Sequence, residues 1–557
     1  MLNKKAIIGM ALAGTLTTSL FIGCGAKADE KSNVDKDGVK TFTAFFASAG
    51  KEISKDNRVK QAIADKFGFK IEETWLTGQT AKERIGVMVA GGEYPDFIDG
   101  GDGTSSLLDA GALIPIDEYW DDYPNIKNYL TDLQWNQLRQ EDGHIYYIPQ
   151  FGIVQGKDMR TTHNGEAFWI QKDVLKWANW PTIKTLDEYF DLIERYKEAN
   201  PTINGQPTIG YEILCYDTKY FCLENPPQFL AGYPNDGACI VHGDTLTAEN
   251  YNTIPEAKQY FKKLNEEYNK GIIDPESFTN NYDQYIAKLS TGTVLGMCDQ
   301  YWQFQNAETS LIQQKMFDRT YVPLALTIDP NVTSQYRRPN ELNTSTGLGI
   351  TTSCKDIEGA MKVINDLLSE EATILRSWGE KDKDYFVDEN GLFYRNDEQR
   401  ANAKDDSWVL KNMCSYSWFP AHTGMLQDGI NAVSPGEQPS EYYLTLEDID
   451  KEILAAYGYE KLIDFMPEPN ENEAWYPMWT YANTLTADTP AGIAKQKMDD
   501  IKKQWLPQVV MASTDDFEKI WDEYQTTLKS EADLEAYEDA FTKEVRRRVE
   551  LFSPEDN

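Results

Sequence analysis

The sequence predicts an α/β protein of at least two packed lobes, and three observations carry that prediction. Between residues 39 and 99, alternating or apolar segments take turns with helix-like segments, the strand–helix–strand–helix–strand order of a layered α/β domain. The chain has 557 residues, too many for one hydrophobic core. No internal repeat is present, and the only low-complexity stretch is a short polar one near the N-terminus, so a solenoid is not indicated.

The elements follow in chain order. Residues 1–5 (MLNKK) are a short positive segment, 6–22 are mostly apolar but relieved by Thr15, Thr17, Thr18 and Ser19, and Phe21-Ile22-Gly23-Cys24 closes the stretch. An apolar run this short, ending in small residues, is a secretory signal and not a spanning helix. A cysteine directly after a small residue resembles the bacterial lipobox, in which the thiol is acylated before cleavage, although Phe21 stands where leucine is commoner. The expectation is a signal peptide over 1–23, lipidation at Cys24 and a flexible polar tether over 24–38.

Residues 39–46 alternate and then run apolar, as an opening buried strand does. A helix is expected over 57–67, a strand over 71–76, and a helix over 80–90 stopped by Gly91-Gly92. Residues 95–99 read as a short strand ending in a glycine-rich turn at 100–103. Thr185-Leu-Asp-Glu188 is a capping box opening a helix, and Thr253-Ile-Pro-Glu256 reads as another. Residues 347–351 read as a strand feeding a helix at 356–368. Phe517, Ile520, Trp521, Tyr524 and Leu528, then Leu534, Tyr537, Phe541 and Val545, make two apolar stripes of core-facing helices.

Composition removes several functions. A net charge of −36 leaves nothing to neutralise phosphates, so nucleic acid is not a partner. It also disfavours an anionic ligand, unless a local arginine cluster overrides the global field. No GxxxxGK[ST] loop and no GxGxxG after a strand is present, which argues against an ATPase or a dinucleotide enzyme. The four histidines are widely spaced without HExxH and no CxxC occurs, so no metal and no cofactor is expected. Cys215, Cys222 and Cys239 leave one local disulfide open, with buried free thiols as the plainer reading. Asp35-Lys-Asp37-Gly38 and Asp388-Glu-Asn390-Gly391 look like half of a calcium loop but lack its spacing, and read as turns. The 14 tryptophans and 31 tyrosines supply material for stacking on sugar rings.

Several pieces, in order, resemble one family. They are Met88-Val-Ala-Gly-Gly-Glu-Tyr-Pro-Asp96, Leu108-Asp-Ala-Gly-Ala-Leu-Ile-Pro-Ile-Asp-Glu-Tyr119, Asp142-Gly-His-Ile-Tyr-Tyr-Ile-Pro149, Trp169-Ile-Gln-Lys-Asp-Val-Leu175, Gly271-Ile-Ile-Asp-Pro275, Gly296-Met-Cys-Asp-Gln-Tyr-Trp302 and Gly347-Leu-Gly-Ile350. Their order and spacing, from about residue 40 to 530, resemble the carbohydrate-type extracellular solute-binding proteins of family 1. The resemblance implies a two-lobed fold like that of the type II periplasmic binding proteins, with a ligand cleft between the lobes and extra C-terminal helices. Lobe 1 is expected over 39–152 and 340–400, lobe 2 over 153–339 and 401–557. It further implies a monomer that captures an oligosaccharide, expected to be neutral, for an ABC importer, with membrane permease subunits and a separate ATPase as partners. Its place would be the outer face of the cell membrane, held there by Cys24.

A sugar pocket needs carboxylates or amides for hydroxyls and aromatic rings for C–H faces. Asp99 and Asp102 follow the 95–98 strand, where turn chemistry is the competing explanation. Gln150 and Phe151 follow Pro149 near a lobe crossing, where hinge packing competes. Asp299, Gln300 and Trp302 follow the 293–297 strand, and Trp302 is the leading aromatic candidate. Glu224 beside Asn225-Pro-Pro, and Trp378, Trp418 and Trp475, complete the set, each tryptophan weighed against a core role. Trp479 stands in the same aromatic patch as Trp475. No catalytic residue is expected. The alternatives are an exported glycoside hydrolase using a carboxylate pair, or the same fold carrying an acidic oligouronate on Arg337, Arg338 or Arg376.

Overall fold

A computed structural model describes residues 38–140, 142–338, 342–469 and 473–552. The signal segment, Cys24, the tether and the Asp35–Asp37 turn lie outside these residues. The strands that position the cleft are, in chain order, β1 (Lys40–Phe46), β2 (Phe69–Trp75), β3 (Phe97–Asp99), β4 (Ile153–Gln155), β5 (Glu166–Gln171), β6 (Ile209–Glu212), β7 (Val294–Gln300), β8 (Tyr321–Leu324), β9 (Leu348–Ile350) and β10 (His422–Gly424).

The first lobe is a four-stranded sheet in the order β9-β3-β1-β2. β1 lies parallel to β2 and β3, while β9 returns antiparallel against β3 with Leu348 opposite Asp99. The helix Arg58–Phe67 starts where Asn57 accepts from the Lys60 amide and stops at Gly68, whose left-handed φ of 77° a side chain would resist. Thr80 and Glu83 form a capping box at the head of the helix Ala81–Gly91. Phe42, Phe46, Ile63, Ile71, Phe97 and Ile364 meet in one apolar core.

The second lobe holds a sheet in the order β8-β5-β7-β6, with β5 antiparallel to β7 and β8. β5 is buried along its whole length. The expected Thr185–Glu188 capping box forms and opens the helix Leu186–Ala199. The box expected at Thr253 does not form. Pro255 takes the first helical position of Pro255–Asn269 with Ile254 at the cap, and Thr253 Oγ1 donates instead to the Asn250 carbonyl. Proline's fixed φ starts that helix without a side-chain cap. Three long C-terminal helices, Pro490–Met511, Phe517–Glu531 and Leu534–Phe552, complete the second lobe. Their apolar stripes join Tyr260, Phe261 and Leu264 in one core, and Asn265 Nδ2 caps the Val510 and Ala512 carbonyls at 3.0 and 2.7 Å.

Between the lobes, β4 and β10 pair in parallel. The stretch just before β10, expected in lobe 2, packs in lobe 1: Cys414, Tyr416 and Phe419 belong to its core. Asn57 explains the anchoring, since its Nδ2 donates to the Leu410 and Met413 carbonyls at 2.9 and 2.7 Å. Cys215, Cys222, Cys239, Cys298, Cys354 and Cys414 are free thiols. Asp388 closes its turn by accepting from the Asn390 and Leu392 amides, both at 2.8 Å.

Candidate ligand-binding cleft

A cavity of about 1120 Å³ opens between the two lobes, somewhat larger than small-molecule sites usually enclose. Its wall on the first-lobe side is built from loops at strand ends. β3 delivers the chain to a turn in which Gly101 has φ 50°, and Asp102, Ser105 and Asp109 then line the cavity. Asp99 itself is buried below the surface. Its carboxylate accepts from the Gly101 amide (2.9 Å), from Thr346 Oγ1 (2.7 Å) and from Gln150 Nε2 (3.2 Å). Burial raises its pKa against these three donors. Gln150 also donates to the Trp418 carbonyl at 2.8 Å. Asp99 and Gln150 therefore hold the wall from behind.

The polar run Asn343-Thr344-Ser345-Thr346 faces the cavity. Tyr147 OH fixes it by donating to the Thr344 carbonyl at 2.9 Å, and burial pushes that phenol up to about 12. Tyr146 OH donates to Asp142 Oδ2 at 2.5 Å, a bond that raises the phenol to about 12 and lowers the carboxyl. Trp418 is half-buried against Phe46 and Trp75, both at 5.9 Å, with its free side on the cavity. Phe151 packs edge-on behind Trp418 at 5.2 Å, and is exposed without lining the cavity.

The wall on the second-lobe side is carried on helices. Trp302 stands in the first turn of the helix Tyr301–Gln313, at the end of β7, and is 50% exposed. Its indole donates to Gln300 Oε1. Asp299, one residue earlier, is fully buried and accepts from Tyr285 OH and the Gln300 amide (both 2.7 Å), Gln303 Nε2 (2.5 Å) and Cys222 Sγ (3.3 Å). Burial raises it to about 6. Trp479 opens the helix Trp479–Thr484, and it lines the cavity with Asn483, Thr484 and Thr486.

The cleft continues past Trp302, Trp479 and Asp102 into a second arm of about 590 Å³, which Gln300 also lines. Glu224 lies in a neighbouring recess and is paired with Lys502 at 2.9 Å. Two expected residues are elsewhere. Trp378 is fully buried beside Tyr385 and Phe393, its Nε1 donating to the Ala432 carbonyl. Trp475 is buried in the second-lobe core, and Trp479, one turn of sequence later, takes the place expected for it. Arg376 is likewise withdrawn, since its three nitrogens donate to five backbone carbonyls.

Chemically, the main cavity offers three indoles, hydroxyls and amides, three aspartates and no lysine or arginine. Among the described residues no group of three metal-ligating side chains comes together. More than half of the chain, residues 58–378, matches the family described as bacterial extracellular solute-binding protein. The chain belongs to this family.

Its relatives agree with that placement. The chain is 28% identical over 310 residues to the fructooligosaccharide ABC transporter substrate-binding protein FusA of Streptococcus pneumoniae, covering 51% of this chain and 56% of that one. It spans about half the length of the curated relatives it matches. An extracellular solute-binding protein from Bifidobacterium longum subsp. infantis superposes with a TM-score of 0.62 at 15% identity, covering 94% of this chain and 100% of that one. FusA in complex with kestose superposes with a TM-score of 0.60 at 18% identity, covering 91% and 99%. At such identities the likeness is one of fold, the two-lobed α/β architecture of solute-binding proteins.

Four features of this solute-binding protein's cleft escaped the sequence: Asp109, Asp142, the 343–346 run and the choice of Trp479. Asp109 and Asp142 sit inside two of the family-like pieces, and the 343–346 run directly precedes a strand, so position relative to strand ends was the available signal.

Proposed function

We propose that this solute-binding protein is the receptor of an ABC importer. In this reading it captures an oligosaccharide with an uncharged body between its lobes and hands it to membrane permease subunits. The observation that carries the reading is the composition of the main cavity, where Trp302, Trp418 and Trp479 stand among hydroxyls, amides and carboxylates without any cationic side chain. Indole faces suit the C–H faces of sugar rings, and carboxylates and amides suit their hydroxyls. Ligand touching both walls favours closure by its differential affinity for the closed form.

The reading includes a lipid anchor on Cys24 and a monomer on the outer membrane face. Among the described residues no helix is long and apolar enough to cross a membrane, so the anchor would supply the attachment. It also makes the protein a carrier without turnover. Tyr146 holds Asp142 of the main cavity low, the opposite of what a general acid for glycoside cleavage needs, and Glu166 of the second arm, which burial raises to about 8, is enclosed and accepts from Asn225 and Asn235.

Thermal-shift screening of the mature protein against neutral oligosaccharides, peptides and divalent metals tests the reading. A rise in melting temperature with an oligosaccharide that is recovered uncleaved is the expected result. A response confined to peptides or metals, or product release from the glycan, overturns it.

A further inference from the structure

The two arms of the cleft differ in sign. The main cavity presents Asp102, Asp109 and Asp142 and no cation, whereas the second arm, which shares Asp102 and also holds Glu166, Asp236 and Lys495, is lined by Arg160, Arg337 and Arg338. Two of these arginines are engaged. Arg160 forks onto Asp158 at 2.6–3.0 Å, and Arg338 pairs with Glu473 and lies over the Tyr476 ring.

Arg337 is different. Its side chain is nine-tenths buried and its guanidinium makes no hydrogen bond to any described residue, and its enclosed Nε, like that of Arg338, has no partner. Arg337 stands between this arm and a neighbouring recess, from which two carboxylates stand off at 3.6 Å (Asp158) and 3.7 Å (Glu468). Asp158 is already held by Arg160, and Glu468 is 91% exposed, so water screens it. A guanidinium cannot shed its proton, and a desolvated charge with empty donors is costly unless an anion completes it. The three carboxyls lining this arm do not serve: burial raises Glu166 to about 8 and Asn225 and Asn235 already donate to it, Asp236 accepts from the Ala238 and Met478 amides, and Asp102, shared with the main cavity, makes no ion pair with Arg337. A local arginine of this kind overrides the negative field of the whole chain at short range.

We propose that the second arm receives a carboxylate carried by the glycan, with Arg337 as its partner. The cargo is then an oligosaccharide with a neutral body along the tryptophans and one acidic sugar at the end beyond Trp302. A polyuronate is disfavoured, since its repeated carboxylates would meet the three aspartates of the main cavity. The inference rests on the oligosaccharide reading above and adds the chemistry of one end.

The test is calorimetry on the mature protein with matched triplets of oligosaccharides: a neutral member, the same chain ending in a hexuronic acid, and the methyl ester of that acid. The acid should bind about 10-fold or more tightly than its ester at low salt. Arg337→Gln should bring the acid-to-ester ratio close to one, and Arg337→Lys should restore part of it. Equal binding of acid and ester by the wild-type protein overturns the inference and leaves the oligosaccharide reading standing, whether or not the variant folds. A preference that survives in R337Q overturns the role of Arg337. Binding of no triplet, together with a thermal-shift response to peptides alone, overturns both.

Discussion

Asp99 and Asp299 occupy matching places in the two lobes, each at the end of a strand that points at the cleft, and each is buried beneath it. Their partners differ. Asp99 bonds to Thr346, which lines the cavity, and to Gln150, which holds Trp418 in turn. Asp299 bonds to Tyr285, Gln303 and Cys222, which do not line it, and reaches the rim only through the Gln300 amide. The first wall is a set of loops tied to a carboxylate. The second wall is a helix seated on one, and its ring, Trp302, stands free. The two walls should therefore respond differently to the same kind of damage.

The largest difference is expected from removing the carboxylates. Asp299→Ala strips the partner from three buried donors at once and should cost roughly 3 kcal/mol of stability, read as a lower denaturant midpoint. Sugar affinity in the protein that remains folded should change little. Asp99→Ala should cost less stability but weaken sugar binding, because the 343–346 loop and Trp418 lose their tie. If both variants lose affinity to the same degree, the distinction between a loop-built and a helix-built wall fails.

Trp302→Ala probes the free ring itself. Half of its surface is already in water, so melting should move little while sugar affinity falls by about 30-fold, near 2 kcal/mol for a central aromatic contact. Isothermal calorimetry with the ligand found by screening reads both. A large loss of stability with unchanged affinity would make Trp302 a packing residue.

These contrasts also explain what could be read from sequence. The helix start at Thr185 was legible because a capping box is a contact within four residues. Trp302 was legible because strand ends in α/β sheets face the crevice. Trp475 and Trp479 share an aromatic patch with no clear period, and only packing against the C-terminal helices sends the first inward. Trp378 is buried by a satellite cluster with Tyr385, Phe393, Leu426 and Val433, the last two nearly fifty residues or more away in sequence. A strand-end aspartate advertises polarity, not direction, so Asp99 and Asp299, expected on the cavity surface, stand buried one layer beneath it. The Leu410–Phe419 stretch was assigned to the wrong lobe because its anchors, Asn57 and Phe46, lie more than 350 residues earlier.

Acidity separates the lobes again, with a smaller effect. In the second lobe, burial raises Glu166 and Glu212 to about 8 and Asp299 to about 6, while in the first lobe Glu73 is raised to about 7. A carboxyl whose folded pKa is raised binds its proton in the fold where the unfolded chain has lost it. Its stabilisation is complete below about pH 4.5 and is lost as pH climbs through the folded value. Buried His163, lowered to about 4, acts oppositely, and its contribution is lost as pH falls from about 6.5 through 4. Melting temperature should accordingly fall by about 4 °C between pH 6 and pH 8.5, and Glu166→Gln should flatten that slope. A melting temperature that rises over this range would contradict the burial of these groups.

The smallest and most discriminating effect comes from trimming one hydroxyl on each side. Thr346→Val removes a donor to Asp99 at 2.7 Å, and Tyr285→Phe removes a donor to Asp299 at the same distance. Each change preserves shape and leaves a carboxylate with other partners, so each should cost about 1 kcal/mol of stability. The two should part company in binding. Thr346 is itself part of the cavity surface, and its loosening should weaken the sugar about fivefold, whereas Tyr285 lies behind the helix and should leave affinity within error. Equal stability loss with unequal affinity loss would show that the first lobe transmits strain straight to the ligand while the helix of the second lobe absorbs it.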